Sequence, residues 1–384
     1  MLVVGFMSGT SLDGLSIAYV EIDGVKPPFS SKFIAGKTFP LPESLRAALL
    51  KLAQSGTVTS QIVANCNREL GVLAANSLET FLREESLKAP ELMGFHGQTI
   101  YHQPTTDGTT TLQIGDPSSL CSRFNVPVVS DFRSMDTAVN GQGAPLVSVV
   151  DYLKYRSDDK TRVILNLGGI SNVTVLPRGC DLASVLGFDV GPGNMLIDAV
   201  VDQLTHSKLK YDAEGEMASR GSVSKELLES IIQADDYRYL PYPKTTGRER
   251  YGLSFVEKIL NKANALKLDP DSVLATTSQY TVFMITYHLK QLKDRGLDLA
   301  ELIIGGGGSR NKYLIQELKR NNPELTINFH NEYGVPSSYW ESYAFAVLSY
   351  LSHLGFSGNV PSVTGASRPV LLGRINLPAR HILN

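Results

Sequence analysis

The chain has 384 residues, 42% apolar and 19% charged, with a net charge of −2. That balance gives no basic face for nucleic acid or an acidic membrane, and the length favours two domains over one core. Three cysteines, Cys66, Cys121 and Cys180, are too few and too scattered for a disulfide framework or a metal site; they read as buried or idle thiols in a reducing compartment. The N-terminus lacks a basic region and its apolar run is short, so neither a signal peptide nor a membrane span is expected, and the protein is read as cytoplasmic.

In chain order, "LVVGFM" reads as a buried strand, "SGTSLDG" as a turn and "LSIAYVEI" as a second, alternating strand. "LPESLRAALLKLAQ" and "SQIVANCNRELGVLAANSLETFLREE" have helical spacing, and "APLVSVVDYLKY" is a further candidate with Pro145 near its start. "DTAVNGQGAP" is polar and glycine-rich, as a hinge is, and can equally belong to a site. About 160 residues after the first hairpin, "RVILNLGGISNVTVL" repeats strand, small turn and β-branched strand. Helices then follow in "GNMLIDAVVDQLTH", "SKELLESIIQ", "YGLSFVEKILNKAN" and "TTSQYTVFMITYHLKQLKDRG". "ELIIGGGGSRNKYLIQELKR" reads as strand, four glycines and helix, and "YWESYAFAVLSYLSHL" as a last amphipathic helix. The mixture is α/β, helices covering sheets.

Three stretches carry chemistry. The turn at Gly9, Thr10 and Ser11 can bring backbone N–H groups and hydroxyls, with that of Ser8, to one anion, and Asp13 just beyond can hold a hydrated Mg²⁺. An ordinary hairpin of small residues explains the same letters. The turn is neither a Walker A loop nor G-x-G-x-x-G. Gly306 and Gly307 end a strand ahead of a helix, where a flat ligand can lie on bare backbone. "LGFDVGPGNML" puts Asp189 on a glycine-rich loop ahead of a helix, as a catalytic base or as a cap.

The order hairpin, hairpin, late glycine turn resembles the actin-like ATPase fold. More narrowly, "MSGTSLDG", "FHGQTIYHQP", "QIGDPSSL", "VPVVSDFRSMD", "GQGAPLV", "NLGGISNVT", "GFDVGPGN", "PKTTGRERYG", "GGGGSRN" and "SVTGASRPVLLG" resemble, in order, the motifs of the anhydro-N-acetylmuramic acid kinases from residue 7 to residue 373. The resemblance implies an actin-like fold with two domains around a cleft, residues 1–135 and 136–364, with 365–384 packing back on the first. It implies an enzyme that uses ATP and Mg²⁺ to open 1,6-anhydro-N-acetylmuramic acid with water and phosphorylate O6, giving N-acetylmuramic acid 6-phosphate in peptidoglycan recycling. It also implies a homodimer, with no nucleic-acid or membrane partner.

By the same resemblance Gly9, Thr10, Ser11 and Asp13 fall on the phosphate loop, Gly168 and Gly169 on the second hairpin, and Gly306 and Gly307 on the nucleotide turn. His96, Arg133 and Glu341 fall on positions facing the sugar, and Asp189 on the base. Arg133 has a structural alternative as an ion-pair partner of Asp131 or Asp136, and His96 as a satisfied core histidine. His102 reads as a surface residue, and Lys244 and Arg248 as reaching either phosphates or only the surface. The chain departs from the family in Val190, where Thr is common, and in the charged "DYLKYRSDDK". Two rival functions share these features: a levoglucosan kinase, and a nucleotide switch of the actin or Hsp70 kind.

Overall fold

The computed structural model describes residues 1–9, 12–53, 58–105 and 107–379. Its strands are β1 (Leu2–Ser8), β2 (Leu15–Asp23), β3 (Ser30–Phe39), β4 (Leu92–Thr105), β5 (Gly108–Ile114), β6 (Val128–Ser130), β7 (Thr161–Leu167), β8 (Ile170–Leu176), β9 (Leu186–Pro192), β10 (Leu299–Gly305), β11 (Thr326–Phe329) and β12 (Arg374–Asn376). The chain divides into two compact units, Met1–Lys154 with Gly334–Asn384, and Tyr155–Tyr333. Residues 136–154 and 334–364, assigned by sequence to the second domain, thus lie in the first unit.

In the first unit the sheet runs β12-β6-β4-β1-β2-β3, with β5 added to β4. β1, β2 and β3 form an antiparallel meander, and β1, β4 and β6 are parallel. In the second unit the order is β11-β10-β7-β8-β9, again a meander of three followed by two parallel strands beside the first. Renumbered within each unit, with β5 and β12 left out, both orders are 3-2-1-4-5. This is the doubled arrangement of the actin-like ATPase fold, and the two hairpins β1–β2 and β7–β8 occupy the same place in each copy.

Two glycines seat the helix Trp340–His353 on the first sheet. A Cβ on Gly5 would lie 1.9 Å from the Ser342 carbonyl oxygen, and one on Gly94 would lie 2.4 Å from that of Phe345. Only bare backbone on β1 and β4 allows so close an approach. The helix is buried along nearly its whole length, and only its first turn and last residue reach solvent.

In the second unit, Asp269 caps the long helix Pro270–Asp294 by accepting from the Ser272 N–H at 2.9 Å, with Pro270 at the first turn. The helix therefore starts six residues before the "TTSQ" read from periodicity alone. Its buried Leu274, Tyr280, Met284 and Ile285 join Val163, Leu165, Phe188 and Val190 in one core. Val190 is 1% exposed, so the departure from Thr at this position fills an apolar site.

"DTAVNGQGAP" lies inside the first unit and wraps one buried carboxylate. Asp136, fully buried, accepts from the Gly143 N–H at 2.8 Å, Asn359 Nδ2 at 2.7 Å and Thr364 Oγ1 at 2.8 Å. A Cβ on Gly141 would meet Asp136 Oδ2 at 2.1 Å. The glycines here answer to that packing. All three cysteines are free and buried, in line with idle thiols.

Candidate functional site

The candidate residues fall into two groups, one in each unit. In the first unit His96 lies on β4, and Gly97 follows with φ +74°, where a Cβ would strike the Ile114 carbonyl oxygen at 2.3 Å. This turn of the backbone sets the His96 Nδ1–H on the Gly97 carbonyl at 3.0 Å. Arg133 Nε donates to His96 Nε2 at 3.1 Å, and its Nη1 donates to the Gly143 carbonyl at 2.5 Å. His96 is 2% exposed and its ring lies tilted against that of Phe345, centroids 4.5 Å apart. Burial, helped by the Arg133 charge, pushes its pKa down to about 3, so the ring is neutral.

The ion-pair alternative for Arg133 is not what forms. Asp131 pairs instead with Arg374 at 3.0 Å, and Asp136 is taken up by Gly143, Asn359 and Thr364. Among the described residues Arg133 has no carboxylate within ion-pairing distance. Burial holds its pKa down at about 10 against the pull of Glu341 and then Asp136. Glu341 opens the helix Trp340–His353 with its side chain in contact with solvent; the dense protein around it still pushes its carboxyl upward, opposed by Arg133. His96, Arg133 and Glu341 thus share one locality, with a guanidinium free to take an anion. His102, expected at the surface, is half-buried, with Nδ1 3.0 Å from Thr111 Oγ1.

At the first hairpin turn, the Leu12 N–H donates to the Gly9 carbonyl at 3.1 Å, and Leu12 is buried with φ +57°. Asp13 is exposed. Thr10 and Ser11 lie outside the described residues. Ser8, whose hydroxyl was expected among the anion donors, is buried and donates to Gln98 Oε1 at 2.6 Å.

In the second unit, hairpin, glycine turn and helix start are packed together. The N–H groups of Gly193 and Met195 donate to the Gly169 carbonyl at 2.9 and 3.1 Å, and that of Asn194 to Gly168 at 2.9 Å. The N–H groups of Asn194 and Met195, which open the helix Asn194–Leu204, are therefore spent on the hairpin. A Cβ at Gly306, whose φ is +78°, would lie 2.5 Å from Asn166 Oδ1, and one at Gly308 would lie 2.8 Å from Asn194 Oδ1. Gly307 meets nothing nearer than 3.7 Å, and Gly168 and Gly169 nothing nearer than 3.2 and 3.6 Å. Packing explains Gly306 and Gly308 and crowds Gly168 against the Ile170 carbonyl; it leaves Gly307 and Gly169 open for a ligand.

Asp189 sits within strand β9, opposite Asn172 of β8, rather than on a loop. It does not cap the next helix, whose cap residue Gly193 has no side chain to offer. Its carboxylate accepts from the Thr246 N–H at 2.9 Å, its own N–H donates to the Lys244 carbonyl at 3.0 Å, and its carbonyl accepts from Tyr237 Oη at 2.8 Å. Burial pushes its pKa up to about 7; the Thr246 N–H works against this and Glu249 adds to it. A carboxylate so poised is a proton acceptor near neutral pH. Thr246 was missed from the sequence although "PKTTGRERYG" stood out, because it acts through its backbone. Lys244 is buried and its Nζ donates to the Tyr237 carbonyl at 2.8 Å, whereas Arg248 is exposed.

The doubled actin-like sheet order is a fold on which phosphotransferases occur, and the class of this protein is given by its family. Residues 1–378 match the family model of the anhydro-N-acetylmuramic acid kinases. The chain is 38% identical over 384 residues to an anhydro-N-acetylmuramic acid kinase of Caldanaerobacter subterraneus, covering 98% of this chain and 97% of that one. It is 38% identical over 385 residues to one of Bacillus thuringiensis, covering 98% and 100%. Among solved structures, component A of the (R)-2-hydroxyglutaryl-CoA dehydratase of Acidaminococcus fermentans aligns over 91% of this chain and 98% of its own, at 12% identity and a TM-score of 0.47. The chain belongs to the anhydro-N-acetylmuramic acid kinase family. No helix among the described residues is long and apolar enough to cross a membrane.

Proposed function

We propose that this protein is an ATP-dependent kinase that opens 1,6-anhydro-N-acetylmuramic acid with water and phosphorylates O6. The observation that carries the reading is Asp189, a carboxyl raised to about 7 by burial and held by the Thr246 N–H. Water attacks the anomeric carbon and gives a proton to Asp189. The C1–O6 bond breaks, O6 forms its bond to the γ-phosphorus, and ADP leaves with the electrons of the broken phosphoanhydride bond. His96 does not serve as the base, since its Nδ1 donates to the Gly97 carbonyl and its Nε2 accepts from Arg133.

Arg133 is the partner proposed for the lactyl carboxylate, the group that distinguishes muramic acid from plainer anhydrosugars. A planar fork with no carboxylate of its own suits that anion. Asp13 offers one exposed, hard oxygen donor, and no group of three or more His, Cys, Asp or Glu side chains gathers to hold an ion among the described residues. That donor set fits Mg²⁺ that keeps most of its waters and rides on the phosphates. Bound there, Mg²⁺ would neutralise charge on the transferred phosphoryl group. Gly307 and Gly169, which are open, and Gly168 beside them are the backbone positions proposed to lie against the nucleotide. We place the enzyme in the cytoplasm, in peptidoglycan recycling, as a homodimer.

Incubation with ATP, Mg²⁺ and each anhydrosugar in H₂¹⁸O tests this. One ¹⁸O at C1 and a phosphate on O6 of the muramic product is expected. Turnover of 1,6-anhydroglucose in preference would move the assignment to a levoglucosan kinase, and ATP hydrolysis without any sugar product to a switch.

A further inference from the structure

The segment 235–251 touches Asp189 at three points and is closed on itself by one buried carboxylate. Asp235 is 1% exposed. It accepts from Tyr251 Oη at 2.7 Å, Arg250 Nη1 at 2.9 Å and the Tyr237 N–H at 3.0 Å, and from Tyr280 Oη on the helix Pro270–Asp294. Three of these four donors belong to the two ends of the segment; the fourth ties it to the core. Between the ends, Tyr237 Oη, the Lys244 carbonyl and the Thr246 N–H hold the Asp189 carbonyl, N–H and carboxylate. Lys244 Nζ, bonded to the Tyr237 carbonyl and 4.3 Å from that ring's centroid, braces the middle. Thr246 Oγ1 is buried without a hydrogen-bond partner among the described residues, so the residue is fixed by its backbone rather than by its hydroxyl.

We propose that Asp235 is a positioning residue: it locks the segment 237–251 so that the Thr246 N–H stays on the Asp189 carboxylate. The proposal rests on the reading of Asp189 as the base. A buried carboxylate with four donors is costly to assemble, and it is worth assembling where it fixes both ends of a loop at once.

The sign of the effect follows from what faces Asp189. Glu249 disfavours its ionised form, Tyr237 is neutral, and the Lys244 amine is turned to the Tyr237 carbonyl. On β8 the opposite residue, Asn172, is uncharged. On the helix packed over β9, His288 is neutral, its pKa pushed down to about 3 by burial and then by Lys244 and Arg295. The Thr246 N–H is the contact that favours the carboxylate. Loosening the segment withdraws it, and the Asp189 titration must move to higher pH.

The test is Asp235→Asn, with Tyr251→Phe as the milder variant, each checked by circular dichroism and melting. The Asp189 carboxyl is titrated by ¹³C NMR in aspartate-labelled protein, its signal assigned by difference from Asp189→Asn. In Asp235→Asn the titration and the acid limb of kcat/KM are expected to move together by about one pH unit to the alkaline side, the worth of one charge-assisted hydrogen bond. Tyr251→Phe gives a smaller shift of the same sign. An unmoved Asp189 titration in folded variants overturns the proposal, whatever the fall in melting temperature, and leaves Asp235 a stabilising residue only. Should Asp189→Asn retain turnover, the base reading fails by itself, while the carbon titration still decides the role of Asp235.

Discussion

Arg133 gives its Nε–H to His96 Nε2, 3.1 Å away, so a neutral histidine and not a carboxylate aims the guanidinium. The bond fixes the tautomer, since His96 must carry its proton on Nδ1, where the Gly97 carbonyl accepts it. An arginine oriented by a carboxylate would have its charge already matched. Oriented by an imidazole, it keeps that charge for a ligand.

Arg133→Lys therefore removes both the Nε bond to His96 and the fork. Losing a charge-assisted, two-point contact costs about 1.5–3 kcal/mol, or roughly 10–150-fold in KM, for a sugar bearing the lactyl carboxylate. A sugar without that group loses much less. Equal losses on both substrates would make Arg133 structural. Independently, Arg133→Met takes a positive charge from beside His96, whose pKa of about 3 then rises toward the ordinary histidine value, as NMR titration will register.

Asp136 governs a different property. Asp136→Ala leaves the Gly143 N–H without its acceptor, and leaves Asn359 Nδ2 and Thr364 Oγ1 only their longer bonds to the Arg368 and Val360 carbonyls, at 3.3 and 3.4 Å. The stranded amide costs about 1–3 kcal/mol and each of the two lost side-chain bonds about 0.5–1.5 kcal/mol. Chemical denaturation should show a loss of several kcal/mol, near the upper end for a single substitution. Because Gly143 also accepts from Arg133 through its carbonyl, binding of the muramic sugar weakens with it. A stability change below about 1 kcal/mol would contradict this account.

The glycine turn separates packing from binding. Gly306→Ala forces a Cβ to within 2.5 Å of Asn166 Oδ1 at a φ of +78° and should cost at least about 1–3 kcal/mol of stability. Gly307→Ala meets nothing closer than 3.7 Å and should fold with an unchanged melting temperature. Its effect, if Gly307 faces the nucleotide, is a raised KM for ATP alone. Equal melting temperatures for the two variants would refute the distinction.

What could be read from the letters follows from where the information lies. The hairpins β1–β2 and β7–β8 were legible because buried strands are continuous in apolar residues, and the helices because their apolar residues recur at helical spacing. β9 was not, because Gly187, Gly191 and Pro192 look like a loop; its partner β8 makes it a strand, and pairing is a long-range property. β4 runs on through polar "QTIYHQPT" for the same reason, paired with β5. The domain limits moved because Asp136 binds Asn359 and Thr364, over 200 residues away, which nothing local announces. His96, Arg133, Glu341 and Asp189 were visible as side chains in motifs. Thr246 acts through an amide, and every residue but proline has one.

Asp189 gives the sharpest test, because its two roles respond oppositely to pH. Its folded pKa, about 7, lies above the ordinary 3.8. The base must be ionised, so kcat/KM should be level above pH 7 and fall tenfold per unit below it. Stability runs the other way. A carboxyl whose pKa is raised by folding favours the folded state while protonated, and that contribution is lost as pH rises from about 4 through 7. Asp189→Asn keeps an oxygen for the Thr246 N–H and never ionises. It should melt higher than the parent at pH 8 and alike at pH 4. Its turnover should fall by at least ~10²–10⁴-fold, with ATP and sugar affinities little changed. Wild-type turnover in a folded, binding-competent Asp189→Asn would end the case for a base at this position. A loss of activity with no pH-dependent gain in melting temperature would show instead that the Asp189 carboxyl titrates near its ordinary range.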